Sequence, residues 1–356
     1  MNIRKILSLA FASMLLFNVS CSTDSSYEST DDGTLRFDSG VLISNEGGFT
    51  TTTSEVSFVS NDLTTVFNKI YGMSNNKEDL GKVLQTIGFN GNLAYLVCNI
   101  PNKIDIVDRY TFKKLTTVTA NLDGARYIAF SGNQYYVTNN NFDTHKRKLN
   151  IYNISDNSFV KSIDFTNAAE KVVEASGSIV VQTDGVGYDS SWNPIPTGYT
   201  VTVVNPSTNV VSYTVNLPNV GIIKDLISYK GNAYVLVSDN TNSFIYKINT
   251  ANGTYETTTL TAIPKVQKLR ADNDRFYFIT DTNKIYTMAV GSTTVPTTPI
   301  TTAVGDVYGF NVIDGKIFAA DANYSTDGKV NVYNASNGIL LKNFTAGIGT
   351  NGFYKN

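Results

Sequence analysis

Histidine and cysteine, the residues that most often build catalytic and transition-metal sites, are nearly absent from this chain of 356 residues. The only histidine, His145, lies in the basic segment of residues 144–148, with no second histidine or cysteine nearby. A lone histidine of this kind is poor material for a metal site or for a Ser-His-Asp triad. We therefore predict no catalytic residues, no metal site, no cofactor and no enzyme activity.

Strong charge, disulfide bonds and helical periodicity are missing as well. The chain has 28 basic and 30 acidic residues, a formal net charge of −2, which argues against nucleic-acid binding. The cysteines are Cys21 and Cys98, and we expect Cys98, in the apolar run of residues 94–98, to be a buried and unreactive thiol. The abundance of Tyr, Phe, Val, Ile and Thr predicts an all-β fold.

Residues 1–20 have the pattern of a secretion signal. A short basic segment precedes the apolar residues 6–17, a run too short to anchor the chain across a bilayer. Cys21 follows a small residue and resembles the lipobox cysteine of bacterial lipoproteins, although Asn18 stands where that motif usually has leucine. The resemblance implies cleavage before Cys21 and lipidation of its side chain. An ordinary signal peptide with a chance cysteine is the alternative.

Residues 21–36 are polar and acidic and contain almost no apolar side chains. Such a segment cannot bury enough surface to fold, so we predict a flexible tether. An acidic stretch directly after the lipidated cysteine also resembles the surface-export signal of Bacteroidota lipoproteins. That resemblance implies a lipid-anchored protein of the outer membrane, exposed at the cell surface.

A repeated unit fills residues 37–356, which we predict to be a single domain. The unit contains an apolar strand, a tight turn, a strand rich in Tyr or Val, a polar loop, an alternating strand and a last strand, and it is clearest over residues 83–118. Its turns, spaced roughly 41 to 54 residues apart, are Asn90-Gly91-Asn92, Gly132-Asn133, Gly177-Ser178, Gly231-Asn232, Asn273-Asp274 and Asp314-Gly315. This spacing is typical of the four-stranded blade of a β-propeller.

The two ends of the repeat region complement each other. The first unit has predicted strands at residues 41–43, 55–59 and 65–71 but lacks the strand that should precede them, whereas residues 351–355 resemble that strand and have no partners of their own. We predict that the C-terminal strand completes blade one and closes the ring. Six complete units and one shared unit then give an all-β, seven-bladed propeller with four-stranded antiparallel blades.

Several stretches carry a resemblance to a known family, namely residues 40–49, residues 95–99 with 104–108, and residues 125–130. They resemble the YncE-like seven-bladed propeller surface lipoproteins of Bacteroidota, and the resemblance covers essentially all of residues 37–356. Some members of that family capture cobalamin at the cell surface and pass it to a TonB-dependent outer-membrane transporter. The resemblance implies a surface uptake role, with a cobalamin-like cargo as one option.

Propellers usually bind their ligands at the loops of one mouth of the ring. A polar residue ends the second strand of each predicted blade, at Asn45, Asn99, Asn139, Asp184, Asp239, Asp281 and Asp321. These residues form either a ring of hydrogen-bonding groups around the mouth or caps that satisfy loop amides. From this set we take Asn45, Asn139 and Asp321 as candidate ligand-binding residues.

A second aligned set lies six residues before each turn and consists of Gln85, Arg126, Lys171, Asp225 and Gln267. Because first strands line the channel of a propeller, these polar groups should converge at its mouth, as in a ligand site. Exposed aromatic residues of the mouth loops add Phe49, Phe142, Tyr188 and Trp192 as contacts for a sugar, a corrin or a protein. The alternatives are mutual ion pairing in a solvated channel and aromatic residues that pack within their own loops.

Two motifs do not support a function. Residues 347–352 match the spacing of a dinucleotide fingerprint, but no strand–helix unit follows them. Asp321, Asn323, Ser325 and Asp327 alternate like the ligands of a calcium loop, but the glutamate expected further on is missing.

Three functions are compatible with this sequence. The first is a surface lipoprotein that captures a small molecule or glycan and passes it to a TonB-dependent outer-membrane transporter. The second is a protein–protein interaction module or the lid of a surface complex, without a small-molecule cargo. The third is a propeller enzyme, which the shortage of catalytic side chains disfavours.

Overall fold

Short strands rich in Val, Ile, Tyr and Thr pair into seven four-stranded antiparallel sheets in the computed structural model, which describes residues 35–51 and 53–356. Each of these sheets is one blade, and Phe37–Asn356 is one compact unit. The leader, Cys21 and most of the predicted tether lie outside the described residues. Within the described residues, none of the helical segments has the length and apolar composition needed to traverse a lipid bilayer.

The strands of the first three blades are as follows. Blade 1 contains β1 (Gly40–Asn45), β2 (Glu55–Ser60) and β3 (Val66–Phe67), with β30 (Thr350–Lys355) on the channel side of β1. Blade 2 contains, from the channel outwards, β4 (Val83–Asn90), β5 (Leu93–Ile100), β6 (Lys103–Asp108) and β7 (Lys114–Val118). Blade 3 contains β8 (Ala125–Ser131), β9 (Gln134–Asn140), β10 (Arg147–Asn153) and β11 (Phe159–Asp164).

Blade 4 differs from the others by an inserted hairpin. It contains β12 (Val172–Ala175), β13 (Ser178–Gln182), β16 (Thr200–Asn205) and β17 (Val210–Asn216), and the hairpin consists of β14 (Val186–Tyr188) and β15 (Pro194–Pro196). Blade 5 contains β18 (Ile222–Tyr229), β19 (Asn232–Ser238), β20 (Ser243–Asn249) and β21 (Thr254–Leu260). Blade 6 contains β22 (Val266–Asp272), β23 (Arg275–Thr280), β24 (Lys284–Ala289) and β25 (Thr301–Thr302). Blade 7 contains β26 (Val307–Ile313), β27 (Lys316–Asp321), β28 (Lys329–Asn334) and β29 (Leu340–Thr345).

The C-terminal strand closes the ring, as predicted. β30 pairs antiparallel with β1, so that Phe353 lies opposite Ile43 and Tyr354 opposite Leu42. β30 also contacts the inner strands of both neighbouring blades, β26 and β4. The seven-bladed propeller with a shared first blade is therefore confirmed.

Two-residue turns join the first and second strands of blades 2 to 7, close to the predicted positions. In blades 4 to 7 both turn residues have positive φ, for example 49° at Asp314 and 72° at Gly315, which is the geometry that glycine, asparagine and aspartate tolerate best. Two predicted turns are wrong by one residue. They start at Ser176 and Lys230, because glycine occupies the second position of the turn and not the first.

The third strand of blade 1 is shorter than predicted. β3 covers only Val66–Phe67, and a short helix, α1 (Ile70–Ser74), replaces the rest of the expected strand. Lys69, with φ of 61°, ends the extended backbone. The helix is held in place because Tyr71 donates a hydrogen bond of 2.9 Å to the carboxylate of Asp105.

Apolar side chains fill the space between neighbouring blades. Aromatic rings bridge several of these interfaces, as between Tyr95 and Tyr135, whose centroids are 5.4 Å apart, and between Phe318 and Phe353, at 5.4 Å. Cys98 belongs to this core, as predicted, and burial raises the pKa of its thiol to about 12. The packed ring is a rigid support for the loops at its mouth.

Candidate ligand-binding site

The innermost strands of six blades contain a β-bulge near the mouth of the channel, and β12 of blade 4 is the exception. Register shifts interrupt β4, β8, β18, β22 and β26 near their first residues, and the pairing of β30 with β1 is interrupted at the corresponding place. A bulge leaves a residue without a cross-strand partner and redirects its side chain. The bulge residues all line one cavity at this mouth and are Gln85, Arg126, Tyr127, Lys224, Gln267, Tyr308 and Asn351.

The mouth cavity has a volume of about 1320 Å³. Small-molecule pockets commonly measure about 300–1,000 Å³, so this cavity is large enough for a bulky ligand. It opens on the side of the loops between the second and third strands, because Phe142, Asp239 and Asp281 from those loops border it, together with Asn140 at the end of β9.

The floor of the cavity contains a buried ion-pair network around Asp225. This carboxylate accepts hydrogen bonds from Lys171 Nζ and, at 2.6 Å, from Arg270 Nη1. The backbone N–H groups of Leu226 and Leu269 each donate a further hydrogen bond of 3.0 Å. Burial by itself raises the pKa of Asp225, but the two cations and these hydrogen bonds outweigh it and hold the pKa well below its ordinary value.

A second network forms the wall between blades 2 and 4. Arg126 donates hydrogen bonds of 2.7 to 3.1 Å to the carboxylate of Glu170 and a further one to the side-chain oxygen of Gln85. Asn140 Nδ2 donates to the same carboxylate at 3.2 Å. Burial raises the pKa of Glu170, yet the charge of Arg126 outweighs burial and lowers it overall.

Two lysines of the cavity wall have no carboxylate partner of this kind. Lys268 contacts the ring of Tyr308, 5.2 Å from Nζ to the centroid, and makes no ion pair with any described residue. Burial, together with the nearby charges of Arg270 and Lys171, lowers the pKa of Lys268 to about 7. Lys224 stands at the bulge of β18, and burial lowers its pKa too.

The rim of the cavity is partly aromatic. Phe142 is 69% exposed and Tyr188 51% exposed, and both border the cavity. Tyr188 lies on the inserted β14–β15 hairpin, whose tip is held by Asp189, since that carboxylate accepts the backbone N–H groups of Ser191 at 2.8 Å and Asn193 at 2.9 Å. A flat ligand can pack against such rings while polar groups below fix its orientation.

The structure brings together seven of the residues proposed from the sequence. They line the mouth cavity and are Gln85, Arg126, Phe142, Lys171, Tyr188, Asp225 and Gln267. Trp192 is 81% exposed at the tip of the hairpin and lies outside the cavity wall, with its ring 6.0 Å from that of Tyr188. Phe49 is 66% exposed on a loop of blade 1 that does not border the cavity.

The three candidate residues at the ends of second strands, Asn45, Asn139 and Asp321, form hydrogen bonds with nearby groups of the protein. Asn45 is buried, and its side-chain oxygen accepts hydrogen bonds from the Gly347 N–H and the Thr350 hydroxyl. Asn139 accepts the N–H of Asp123 at 2.8 Å. Asp321 accepts the N–H of Asp306 at 2.9 Å. None of the three borders the mouth cavity, and these contacts correspond to the capping alternative.

Sequence reasoning missed several residues of the cavity. Glu170, Lys224, Lys268, Arg270 and Tyr308 were not among the candidates, although all of them line it. The bulges explain most of these omissions, because they let consecutive residues reach one cavity, which regular alternation along a strand does not predict. The signal available in the sequence was a pair of adjacent polar residues at the start of a first strand, such as Gln267 and Lys268.

A second cavity, of about 620 Å³, lies further along the channel. It is more apolar and is bordered by Phe89, Phe130 and Phe310. Residues that border both cavities mark the level at which they meet, and they are Tyr127, Lys171, Arg270 and Tyr354. The ion-pair network of Asp225 therefore forms part of the partition between them.

Metal-binding chemistry has little support in the described part of the chain. No cluster of three or more His, Cys, Asp or Glu side chains suited to a metal ion occurs among these residues. In the loop that resembles a calcium site, the side-chain oxygen of Asn323 already accepts the N–H groups of Ser325 and Thr326, at 2.8 and 2.9 Å.

One family model covers most of the chain. The model of a family described as "Domain of unknown function (DUF5074)" matches residues 39–326. A search of curated proteins gave no match to this sequence.

Similar solved structures include the computationally designed Ika8 protein, with a TM-score of 0.58 and 10% identity over 87% of this chain and 90% of that chain. Another is the dihydro-heme d1 dehydrogenase NirN in complex with DHE, with a TM-score of 0.56 and 14% identity over 88% of this chain and 75% of that chain. A third is the Pan2 WD40 domain of Neurospora crassa, with a TM-score of 0.56 and 12% identity over 80% of this chain and 83% of that chain. At such identities the likeness concerns the fold alone.

Proposed function

Because the chain belongs to the DUF5074 family, whose description names no function, we propose a function from the cavity itself: the protein captures a ligand at the mouth of its propeller, without catalysis. The observation that carries this proposal is the mouth cavity of about 1320 Å³, in which bulged strands present polar groups beneath an aromatic rim. A rigid ring with converging polar groups is the usual construction of a binding site.

The cellular setting is also part of the proposal. The resemblance of residues 1–36 to a lipoprotein leader and tether supports a protein that is attached through Cys21 to the outer membrane at the cell surface. From there it would pass its ligand to a TonB-dependent transporter, in the manner of the YncE-like surface propellers of Bacteroidota. A cobalamin-like molecule or a glycan is the kind of bulky ligand that we propose, and the cavity volume of about 1320 Å³ supports a ligand of that kind.

A protein-interaction role is the second candidate function. It is favoured by exposed apolar residues on the outer face of blade 7, since residues 339–341 are 45 to 61% exposed. Apolar patches of this kind often mark contacts between proteins.

Tryptophan fluorescence tests ligand capture. Trp192 is the only tryptophan and lies next to Tyr188 at the rim, so a ligand that enters the cavity should change its emission. The purified protein is titrated with cobalamin, haem and oligosaccharides, and each hit is confirmed by calorimetry. We expect a saturable change with one class of ligand, and we expect Tyr188→Ser to weaken its binding by about 3- to 10-fold through the loss of aromatic contact.

Tyr213→Ser is the matched control, because Tyr213 lies on the outer strand β17, away from the cavity, and is also partly exposed. Its affinity should equal that of the unaltered protein. Absence of heat and of a fluorescence change across the whole panel would reject capture of these ligands. Isolation of an outer-membrane protein on the immobilised chain would then support the interaction role.

A further inference from the structure

The charge of the mouth cavity is opposite in sign to that of the whole chain. The wall carries six basic side chains and four acidic ones, whereas the formal net charge of the chain is −2. The four acids are Glu170, Asp225, Asp239 and Asp281. A concave site with low-dielectric walls concentrates the field of such an excess and attracts ions of opposite sign.

The deep acids are already neutralised by partners within the protein. Asp225 accepts hydrogen bonds from two cations, and Glu170 is bound on both oxygens by Arg126. Nearer the rim, Asp281 lies 3.6 Å from Lys265. The network of Asp225 keeps one excess positive charge, because one carboxylate faces two cations. The cavity cations outside all of these pairs are Lys224 and Lys268.

Lys268 is a cation of the cavity wall that takes part in none of these ion pairs. The charged groups that act on it are the cations Arg270 and Lys171 and, more weakly, the acids Asp225 and Glu46. No described carboxylate lies within ion-pair distance of its Nζ, and Asp225 is held by its own two cations. Glu46, the other acid that acts on Lys268, is committed to a hydrogen bond with Tyr308, and burial raises its pKa. An ammonium group that has lost part of its hydration and has gained no anion loses its proton more readily than usual, and a bound anion stabilises its charged form.

We infer that the captured ligand bears an oxyanion, a carboxylate or a phosphate, which binds at Lys268 on the wall of the mouth cavity. This inference rests on the proposed capture function and names the chemical class of the ligand. The aromatic rim at Phe142 and Tyr188 faces the same cavity. The ligand is therefore anionic at its deep end, and its outer part is flat or apolar enough to pack on these rings.

Matched aromatic probes test the charge requirement. Benzoate and phenyl phosphate carry the two oxyanions, and benzamide has nearly the shape of benzoate without the charge. We expect calorimetry at pH 6.5 to show at least one of the two anions binding about tenfold or more tightly than benzamide, since a charge-assisted hydrogen bond is roughly twice as strong as a neutral one. The stronger of the two anions identifies the headgroup.

Lys268→Met should abolish the preference for the anion over benzamide. The substitution removes a partly buried, unpaired charge, so the variant should unfold at the same temperature as the unaltered protein or at a higher one. Lys342→Met, on the outer strand β29, is the control and should retain the full preference. Equal affinities for the anions and benzamide, or a Lys268→Met variant that keeps the preference, would overturn the inference.

The outcomes separate this inference from the capture function. If a neutral ligand such as an oligosaccharide binds with a change in Trp192 emission while the anions do not compete with it, capture stands and the oxyanion site is wrong. If neither charged nor neutral ligands bind, both proposals are wrong.

The affinity for the anion should also depend on pH. The pKa of Lys268 is lowered to about 7 in the free protein, and a bound anion favours the ammonium form, so binding near neutral pH takes up a proton. The affinity for benzoate, whose own charge does not change in this range, should therefore fall about tenfold between pH 6 and pH 8. Lys268→Met should show no such change. The charged and titratable groups around Lys268 are Arg270, Lys171, Asp225, Glu46 and Tyr308. The Lys268→Met variant keeps all of them, so a pH effect that they cause would appear in the variant as well.

Discussion

Replacing Asp225 with alanine is expected to lower the free energy of unfolding by about 3–5 kcal/mol, the usual effect of breaking a buried ion pair from one side. Asp225 is almost fully buried and holds Lys171 and Arg270, each with only 19% of its side chain exposed. The alanine variant leaves both cations in the channel without their carboxylate. Urea denaturation followed by circular dichroism measures the change in free energy.

The pH dependence of stability gives the same network a second signature. The pKa of Asp225 lies well below its ordinary value in the folded protein because Lys171 and Arg270 outweigh the effect of burial. A lowered folded pKa means that the carboxylate stabilises the fold above the ordinary aspartate range and that this contribution is lost as the pH falls through the folded pKa. The difference in the free energy of unfolding between the unaltered protein and Asp225→Ala should therefore have its full value at pH 7 and should shrink in strong acid.

Two further variants show whether charge is responsible. Asp225→Asn keeps the size of the side chain and one acceptor oxygen, and it should still lose most of the stability because the cations remain uncompensated. In Asp225→Ala combined with Lys171→Met, part of the loss should be recovered, since one of the orphaned charges is removed. A loss below about 1 kcal/mol in Asp225→Ala would show that water in the channel solvates these cations well enough to replace the carboxylate.

The blade architecture could be predicted because its turns depend on local chemistry. Residues with positive φ recur at equivalent places in the chain, and only a few residue types tolerate that backbone. The prediction was less exact where one turn position accepts other residues, as at Ser176 and Lys230. It was wrong for residues 68–71, because the positive φ of Lys69 and the docking of Tyr71 on Asp105 are tertiary features without a local sequence signal.

The candidate site could be predicted only in part, for a similar reason. Gln85, Arg126 and Lys171 stood out as polar residues at the start of apolar strands, and they do line the cavity. Lys268 did not stand out, because it follows a β-bulge at Gln267. That bulge depends on the pairing of β22 with β23, which the sequence does not reveal. Glu170 precedes its strand and reaches the cavity through the backbone hydrogen bonds of residues 170 and 171 with Gln182. Pairing of this kind is fixed by the assembled blade.

Removal of residues 350–356 is expected to prevent the propeller from folding as a stable monomer. The deletion removes β30, the innermost strand of blade 1, and exposes the edge of β1 to the channel. It also removes Asn356, which accepts a hydrogen bond of 2.7 Å from Arg109 of blade 2, and Lys355, whose ammonium lies 2.6 Å from Asp314 of blade 7. Size-exclusion chromatography and circular dichroism should show aggregation or a loss of cooperative unfolding.

A point substitution measures the contribution of ring closure without removing the strand. Phe353 is 2% exposed and packs on Phe318 of blade 7, so Phe353→Ala should lower the free energy of unfolding by about 3–5 kcal/mol. Leu341→Ala is the control, because Leu341 is 45% exposed on blade 7, and its replacement should change stability by less than about 0.5 kcal/mol. If Phe353→Ala behaves like this control, the shared blade holds the ring only weakly. A truncated protein that still folds as a monomer would lead to the same conclusion, because the other blades would then be stable without closure.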